Sequence, residues 1–186
     1  MVEVSSYLYD KGLVPGKSGN ISIRYKKDDL DRIAVTPSGS SLKSLAEKDI
    51  VIVDIDGNPI YSEDNKPTSE LFMHINIYKI RDGVDAVVHT HSPIATGFAF
   101  SDEKIERLEG FGPIIDQYIP CVDYYKPGGV DLAKSVSNGL KNQDCVVLKS
   151  HGVVAIGKNL DEAALLAEFI EESAKIQFVK KVLSGV

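Results

Sequence analysis

A chain of 186 residues with 43% hydrophobic and 26% charged side chains is the right size for one domain, residues 1–186, with a substantial core. Its formal net charge of −6 argues against a general nucleic-acid binder, which needs a basic stripe to release counterions. No apolar run approaches the ~20 residues of a membrane span, and the N-terminus lacks a basic-then-apolar leader, so no membrane partner and a cytoplasmic location are expected.

The first residues read as a helix ending at Gly12, followed by a glycine-bearing loop over residues 15–20. Residues 21–25 alternate apolar and polar as a half-buried strand does, residues 26–32 read as a charged turn, and residues 33–35 as the partner strand. A second loop over residues 36–41 is rich in hydroxyls and glycine. Residues 50–54 form a strand, and Asp56-Gly57-Asn58-Pro59 turns it back toward Ile60 as a hairpin. A helix is predicted over residues 69–80, a strand over 86–88 leading into His89, a helix over 131–140, strands over 145–148 and 153–156, and a long terminal helix over 160–182. Asn159 followed by Glu162 resembles a capping box, and Ala163, Leu166, Ala167, Ile170 and Ala174 mark that helix's inward stripe. Hairpin-paired strands with helices between the later ones predict an α/β sandwich around a mixed, mainly antiparallel sheet.

Cys121 and Cys145 lack the paired spacing of a zinc knuckle or a disulfide framework. Cys145 reads as a small core hydrophobe, and neither cysteine is assigned a role.

Three of the four histidines fall into one pattern. His89-Thr90-His91 follows an apolar strand, and Ser150-His151-Gly152 follows another. Residues two apart on a strand share a face, so His89 and His91 can approach one ion together, with His151 arriving from a second strand. Neutral imidazoles are common ligands of divalent metals, and three protein ligands leave a position open for water or substrate. Isolated strand-end histidines are often structural, but here Ser92-Pro93 supplies an N-cap and a first-turn proline directly after His91. The pair therefore sits at a strand-to-helix junction.

Pro67-Thr68-Ser69-Glu70 places two hydroxyls and a carboxylate at a helix start, where unpaired amides favour an anion. Alone this segment reads as an ordinary N-cap with an acidic first turn. Together with Ser18-Gly19-Asn20 and Ser38-Gly39 it reads as a phosphate cradle built from small polar side chains and backbone N–H groups. Glu70 then falls between anion and metal, as a proton-abstracting base or as a fourth metal ligand when substrate is absent. His74, at i+4 from Glu70, is read as structural.

The ordered set Ser18-Gly19-Asn20-Ile21-Ser22, Thr36-Pro37-Ser38-Gly39, Pro67-Thr68-Ser69-Glu70, His89-Thr90-His91 and His151-Gly152 resembles class II aldolases of the L-fuculose-phosphate type, within the aldolase and adducin-head superfamily. The resemblance spans roughly residues 12–182. It implies a three-layer α/β/α sandwich with a nine-stranded, largely antiparallel sheet, and a homotetramer with active sites between subunits. It implies one Zn2+ per subunit, or another divalent metal, on His89, His91 and His151, with Glu70 as base and occasional ligand. Asn20, Ser38, Gly39, Thr68 and Ser69 would hold the substrate phosphate. The implied reaction is reversible cleavage of a ketose 1-phosphate to dihydroxyacetone phosphate and a short aldehyde such as lactaldehyde, through a metal-stabilised enediolate.

The resemblance also implies a tyrosine proton donor from a neighbouring subunit, just before residues 119–121. An ungapped match puts Glu109 at that place, with Tyr118, Tyr124 and Tyr125 nearby, so the acid is left unassigned. The chain ends at Val186, where longer relatives carry a tail over the site. Three superfamily alternatives stand beside the aldolase. A sugar-phosphate 4-epimerase usually carries aspartate where this chain has Glu70, whereas a methylthioribulose-phosphate dehydratase can share the glutamate and a His-Thr-His-Ser stretch. An adducin-like interaction module would be metal-free, and the three retained imidazoles speak against it.

Overall fold

The alternation of side chains along the strands sets the layers, because successive residues of a strand face opposite sides of the sheet. In the computed structural model, which describes residues 1–62 and 64–185, eight strands form one sheet. They are β1 (Asn20–Lys27), β2 (Leu30–Val35), β3 (Val51–Asp54), β4 (Pro59–Tyr61), β5 (Ala86–Thr90), β6 (Cys121–Val122), β7 (Cys145–Leu148) and β8 (Gly152–Gly157). Their order is β4-β3-β2-β1-β5-β8-β7-β6. Every pairing is antiparallel except β6 with β7.

Among the described residues five α-helices cover the two faces: α1 (Val2–Asp10), α2 (Leu71–Ile80), α3 (Pro93–Phe100), α4 (Val130–Gly139) and α5 (Leu160–Ser184). On one side Ala86, Val88, Cys145, Val147, Val153 and Ala155 pack with residues of α1, α3 and α5. On the other, Val87, Val146, Val154 and Ile156 pack with α2 and α4. Odd and even positions of β5, β7 and β8 thus feed separate cores, which produces the expected α/β/α sandwich.

The sheet has eight strands among the described residues, not the nine implied by the resemblance. Between α3 and β6 the chain makes only an isolated bridge, Glu106 to Tyr118, and its Gly110, Gly112 and Pro113 are poor ladder formers. The charged turn expected over residues 26–32 shrinks to two residues. Asp28 and Asp29 both adopt positive φ, 53° and 59°, and Lys27 pairs directly with Leu30. Such a primed two-residue turn matches the twist of its strands, and aspartate tolerates the left-handed region.

One helix start departs from its sequence signal, and another keeps its expected N-cap. Ser92 makes no cap hydrogen bond to α3, because its hydroxyl pairs with that of Thr90 at 2.8 Å. The first amides of α3 are capped instead by Glu171 of α5, which accepts from Ile94 N at 3.1 Å and Ala95 N at 2.9 Å. At α5, Asn159 Oδ1 accepts from Glu162 N at 2.8 Å, while the Glu162 carboxylate reaches back to Lys158 N at 3.1 Å. The predicted stripe of Ala163, Leu166, Ala167, Ile170 and Ala174 is buried throughout. Cys145 is buried and Cys121 exposed, and both are free thiols.

Candidate metal centre and active site

His89 lies on β5 facing α2, and His91 follows the strand's last residue, so one strand delivers both rings to one side. His151 comes from the tight turn between β7 and β8 and not from a strand, a correction to the sequence reading. That turn needs Ser150 at φ 56°, a left-handed conformation that costs a non-glycine residue about 1 kcal/mol or more. It also needs glycine next: a Cβ on Gly152 would lie 2.2 Å from the Thr90 carbonyl oxygen. The close approach of β8 to β5 draws the three rings together, with centroids 4.8 to 5.0 Å apart.

The donor set has the chemistry of a cation site. His89 Nδ1 lies 2.9 Å from the Val153 carbonyl oxygen, which can only accept, so Nδ1 carries the proton and the Nε2 lone pair points inward. His91 Nε2 is 3.1 Å from His89 Nε2. Nitrogens bound to one tetrahedral zinc at ~2.0 Å lie roughly 3.3 Å apart, so this spacing suits a shared ion. One ligand atom from each of the three histidines lies within 4.8 Å of the others. Burial, followed by the neighbouring His89 and His151, pushes His91 down to about 3, and burial with His89 pushes His151 down to about 4. Both rings are therefore neutral at pH 7, the state a metal requires.

Glu70 closes the group from the start of α2, directly before Leu71. Its Oε2 is 3.2 Å from His89 Nε2 and its Oε1 is 3.6 Å from His151 Nε2. Burial raises the Glu70 carboxyl, but His89, the Asn20 hydrogen bond, His151 and His74 outweigh it and hold the group below its ordinary value. Glu70 Oε1 is buried with no hydrogen-bond partner among the described residues. An electron-rich oxygen facing inward-pointing imidazole lone pairs is satisfied by a divalent cation between them, so the residues fit such an ion.

Beside the histidines opens a cleft of about 280 Å3 whose lining includes Glu70, His91 and His151 together with Asn20, Ser38, Gly39, Thr68 and Ser69. The cradle residues thus share one cavity with Glu70, His91 and His151, and His89 lies buried behind them. The Pro37–Pro67 bridge and the bonds Ser38 N to Lys66 O and Thr68 N to Thr36 O clamp the second and third loops together. Thr68 Oγ1 accepts from Glu70 N at 3.3 Å, which fixes the chain just ahead of α2, whose N-cap Glu70 makes no side-chain cap bond. The first loop closes over the site at Gly19, with φ +74°. A Cβ there would lie 2.5 Å from the Val14 side chain and 2.8 Å from the His89 carbonyl oxygen.

Asn20 is placed differently from a simple anion ligand. Its Nδ2 donates to Glu70 Oε2 at 2.9 Å and its Oδ1 lies 2.6 Å from His74 Nε2, leaving one amide hydrogen for a ligand. His74, wholly buried, lies outside the ring cluster, in agreement with its structural reading. Lys17, Ser40 and Pro127 also line the cleft and were not singled out in the sequence. Lys17 and Ser40 adjoin the motifs, whereas Pro127 reaches the site only because Gly128 packs against the Ser69 carbonyl, which no local pattern announces. Glu109, Tyr118, Tyr124 and Tyr125 do not line this cleft, and the three tyrosines are exposed.

Comparison with known proteins agrees with this geometry. Residues 1–178 match the family described as Class II Aldolase and Adducin N-terminal domain. A protein of Methanococcus maripaludis (strain C7) named L-fuculose phosphate aldolase is 41% identical over 178 residues, covering 96% of this chain and 94% of its own. A Haemophilus influenzae protein named 3-oxo-tetronate 4-phosphate decarboxylase is 33% identical over 183 residues, covering 96% and 85%. A solved structure described as L-fuculose 1-phosphate aldolase superposes with a TM-score of 0.87 at 30% identity, over 98% of this chain and 84% of that one. The chain therefore belongs to the class II aldolase and adducin N-terminal domain family, as an aldehyde-lyase of the fuculose-phosphate aldolase-like kind.

Proposed function

We propose that this protein is a zinc-dependent aldolase that reversibly cleaves a ketose 1-phosphate of the L-fuculose 1-phosphate type to dihydroxyacetone phosphate and a short aldehyde such as lactaldehyde. The observation that carries the reading is the convergence of three imidazoles beside Glu70, with Glu70, His91 and His151 lining the same cleft as the hydroxyl- and glycine-rich loops. His89, His91 and His151 would hold the ion, with Glu70 as an additional ligand when substrate is absent. When bound, the ion supplies Lewis-acid polarisation of the donor's carbonyl and stabilises the negative charge that develops on it.

The chain's own residues do the rest. Ser38, Gly39, Thr68 and Ser69 offer hydroxyls and backbone amides to the phosphate, with Asn20 contributing its remaining amide hydrogen. Glu70 is a carboxylate at neutral pH, as its lowered pKa requires, and faces the reacting end of the cleft. In the synthetic direction it takes a proton from the carbon beside the donor's carbonyl, and the electron pair left there attacks the aldehyde carbon. In cleavage the hydroxyl beside the scissile bond gives its proton to the aldehyde-side acid–base group, the carbon–carbon bond breaks with its electrons returning to the donor fragment, and a proton carried by Glu70 passes to that carbon, which returns Glu70 to its carboxylate. The protein would act as a cytoplasmic homotetramer with its active sites at subunit interfaces, where an exposed tyrosine of a neighbouring copy can supply the aldehyde-side proton.

The test is to incubate metal-loaded protein with dihydroxyacetone phosphate and a panel of short aldehydes, and to analyse the products in both directions. Two carbonyl fragments from one ketose phosphate are expected. A single diketone phosphate, an epimerised sugar phosphate or carbon dioxide from an oxo-acid phosphate in their place would overturn the aldol assignment. The first of these is the product of the dehydratase, which shares the glutamate.

A further inference from the structure

Behind Glu70 a buried hydrogen-bonded chain leads away from the cleft, and three of its members touch neither the cleft nor the metal cluster. Two periodicities build it. Glu70, His74 and Tyr78 stand at i, i+4 and i+8 along α2, so they share one helix face, while Asn20 and Ser22 stand two apart on β1 and share one sheet face. Where the two faces stack, Tyr78 OH and Ser22 Oγ lie 2.7 Å apart, Ser22 Oγ and His74 Nδ1 2.7 Å, and His74 Nε2 and Asn20 Oδ1 2.6 Å; Asn20 Nδ2 then donates to Glu70 Oε2 at 2.9 Å. Ser22 and His74 are fully buried and Tyr78 is 2% exposed, so water does not compete for these groups.

The direction of every bond follows from its far end. A carboxylate only accepts, so Asn20 must present its amide nitrogen to Glu70 and its carbonyl oxygen to His74. That oxygen also only accepts, so His74 carries its proton on Nε2 and leaves Nδ1 as an acceptor. Ser22 must then donate to Nδ1, and its oxygen accepts the Tyr78 hydroxyl. Burial pushes His74 down to about 3, which agrees with a neutral ring holding one proton. All four bonds point the same way, and aligned donors polarise one another.

We infer that Tyr78, Ser22, His74 and Asn20 form a one-directional positioning relay that fixes the rotamer of Glu70 and aims its Oε1 at the reacting carbon, while Oε2 is held by Asn20. The inference rests on the reading of Glu70 as the base. In this arrangement Ser22, His74 and Tyr78 are positioning residues. They touch no substrate, so their loss should move kcat and leave KM and metal content nearly untouched.

The experiment compares Ser22→Ala, Tyr78→Phe, His74→Leu and His74→Gln with wild type and Glu70→Gln, all metal-loaded. The readouts are kcat, KM for the ketose phosphate, proton exchange at the dihydroxyacetone phosphate carbon, bound metal and melting temperature. A base displaced by a fraction of an ångström loses rate steeply, so His74→Leu should lower kcat roughly 10- to 100-fold and Ser22→Ala roughly tenfold, with KM and metal stoichiometry unchanged. Glutamine places an N–H at the reach of Nε2, so His74→Gln should recover to within about threefold of wild type as the donor to Asn20 is restored. Nitrogen NMR of the imidazole adds a readout free of activity, with His74 expected as the neutral Nε2–H tautomer at pH 7.

Wild-type kcat in Ser22→Ala and Tyr78→Phe would overturn the relay, as would losses that only track bound metal or folded fraction, or a His74 protonated on Nδ1. Should His74→Leu fail to fold, the two hydroxyl deletions still decide. Full exchange in Glu70→Gln would instead remove the base assignment beneath the relay, an outcome distinct from a silent Ser22 in an enzyme that Glu70→Gln inactivates.

Discussion

The Val153 carbonyl oxygen, 2.9 Å from His89 Nδ1, determines which nitrogen of His89 faces Glu70 and His91. Val153 and His89 belong to paired strands, with Val154 directly opposite His89, so the sheet ladder itself holds the ring in its metal-binding tautomer. His89→Ala removes the inward lone pair, and His151→Ala removes another from the opposite turn. Each variant should purify with less than stoichiometric zinc and lose turnover by at least about 100-fold, because an incomplete ligand set cannot retain the ion. Elemental analysis beside the aldol assay checks this. Full activity in a variant with no bound metal would exclude a metal mechanism.

The metal-free protein should weaken as the pH falls below neutrality, and the sign follows from His74. Its folded pKa of about 3 lies below the ordinary value of 6.5, so between those limits the unfolded chain binds a proton that the native state does not. Stability is then full above pH 6.5 and declines toward pH 3, at about 1 kcal/mol per pH unit for this wholly buried ring. His91 and His151 are shifted in the same direction and steepen the fall. Glu70, whose pKa is lowered, keeps its contribution until the pH drops below the carboxylate range, so it does not act in the upper part of this window. Thermal melts of metal-free protein at pH 7.5 and 5.5 should show a clear drop in midpoint. His74→Gln, which cannot titrate, should show a smaller one, and identical pH slopes would mean that His74 is charged in the native state.

What was legible in the sequence was whatever lay within one element or one short motif. His89 and His91 declare themselves by strand spacing, and residues 163–174 by helical spacing, because both periods are local. His151 was found by residue type but placed on the wrong element, since a tight turn forced by a left-handed Ser150 has no apolar pattern of its own. The partners of Glu70 behind the cleft were out of reach for a different reason. Ser22 meets His74 and Tyr78 across 52 and 56 residues of chain, and that contact exists only once β1 and α2 are stacked. Ser92 shows the opposite failure: a correct capping signal was overridden because Thr90 takes its hydroxyl and Glu171 supplies the cap from the far end of the chain.

At Gly152 packing, and not backbone conformation, demands a small residue beside His89. Its φ is not in the left-handed region, so the backbone would accept alanine, yet the added Cβ would lie 2.2 Å from Thr90 O and 3.2 Å from His89 Cε1. Relief requires β8 to move away from β5 at the very pair of strands that carries the His89–Val153 bond. Gly152→Ala should therefore destabilise the fold by roughly 1–3 kcal/mol, as overpacking does, and should weaken zinc binding as well. Chemical denaturation of the metal-free variant isolates the first effect and zinc titration the second. Wild-type values in both would mean that the turn can shift without disturbing His89.

Glu171 ties the terminal helix to the backbone that follows His91. Its carboxylate is 2% exposed and accepts the Ile94 and Ala95 amides, the otherwise unpaired first-turn donors of the helix that begins just after His91. His91 is anchored on its other side by its own amide bonding to Leu13 O at 2.9 Å, so the segment is held from both directions. Glu171→Gln keeps the shape but replaces two charged acceptors with one neutral oxygen and an N–H aimed at a donor, a loss of about 1–3 kcal/mol. For a chain of this size that corresponds to roughly 2–4 °C in melting temperature per kcal/mol. Because α3 starts where His91 ends, the same substitution should lower zinc affinity about tenfold, as the loss of a supporting contact typically does. Glu168→Gln provides the control, since Glu168 sits on the same helix but binds Tyr7 and Lys11 of the N-terminal segment. It should alter melting temperature without altering zinc affinity, and equal losses of zinc affinity in both variants would show that His91 responds to global stability and not to the start of α3.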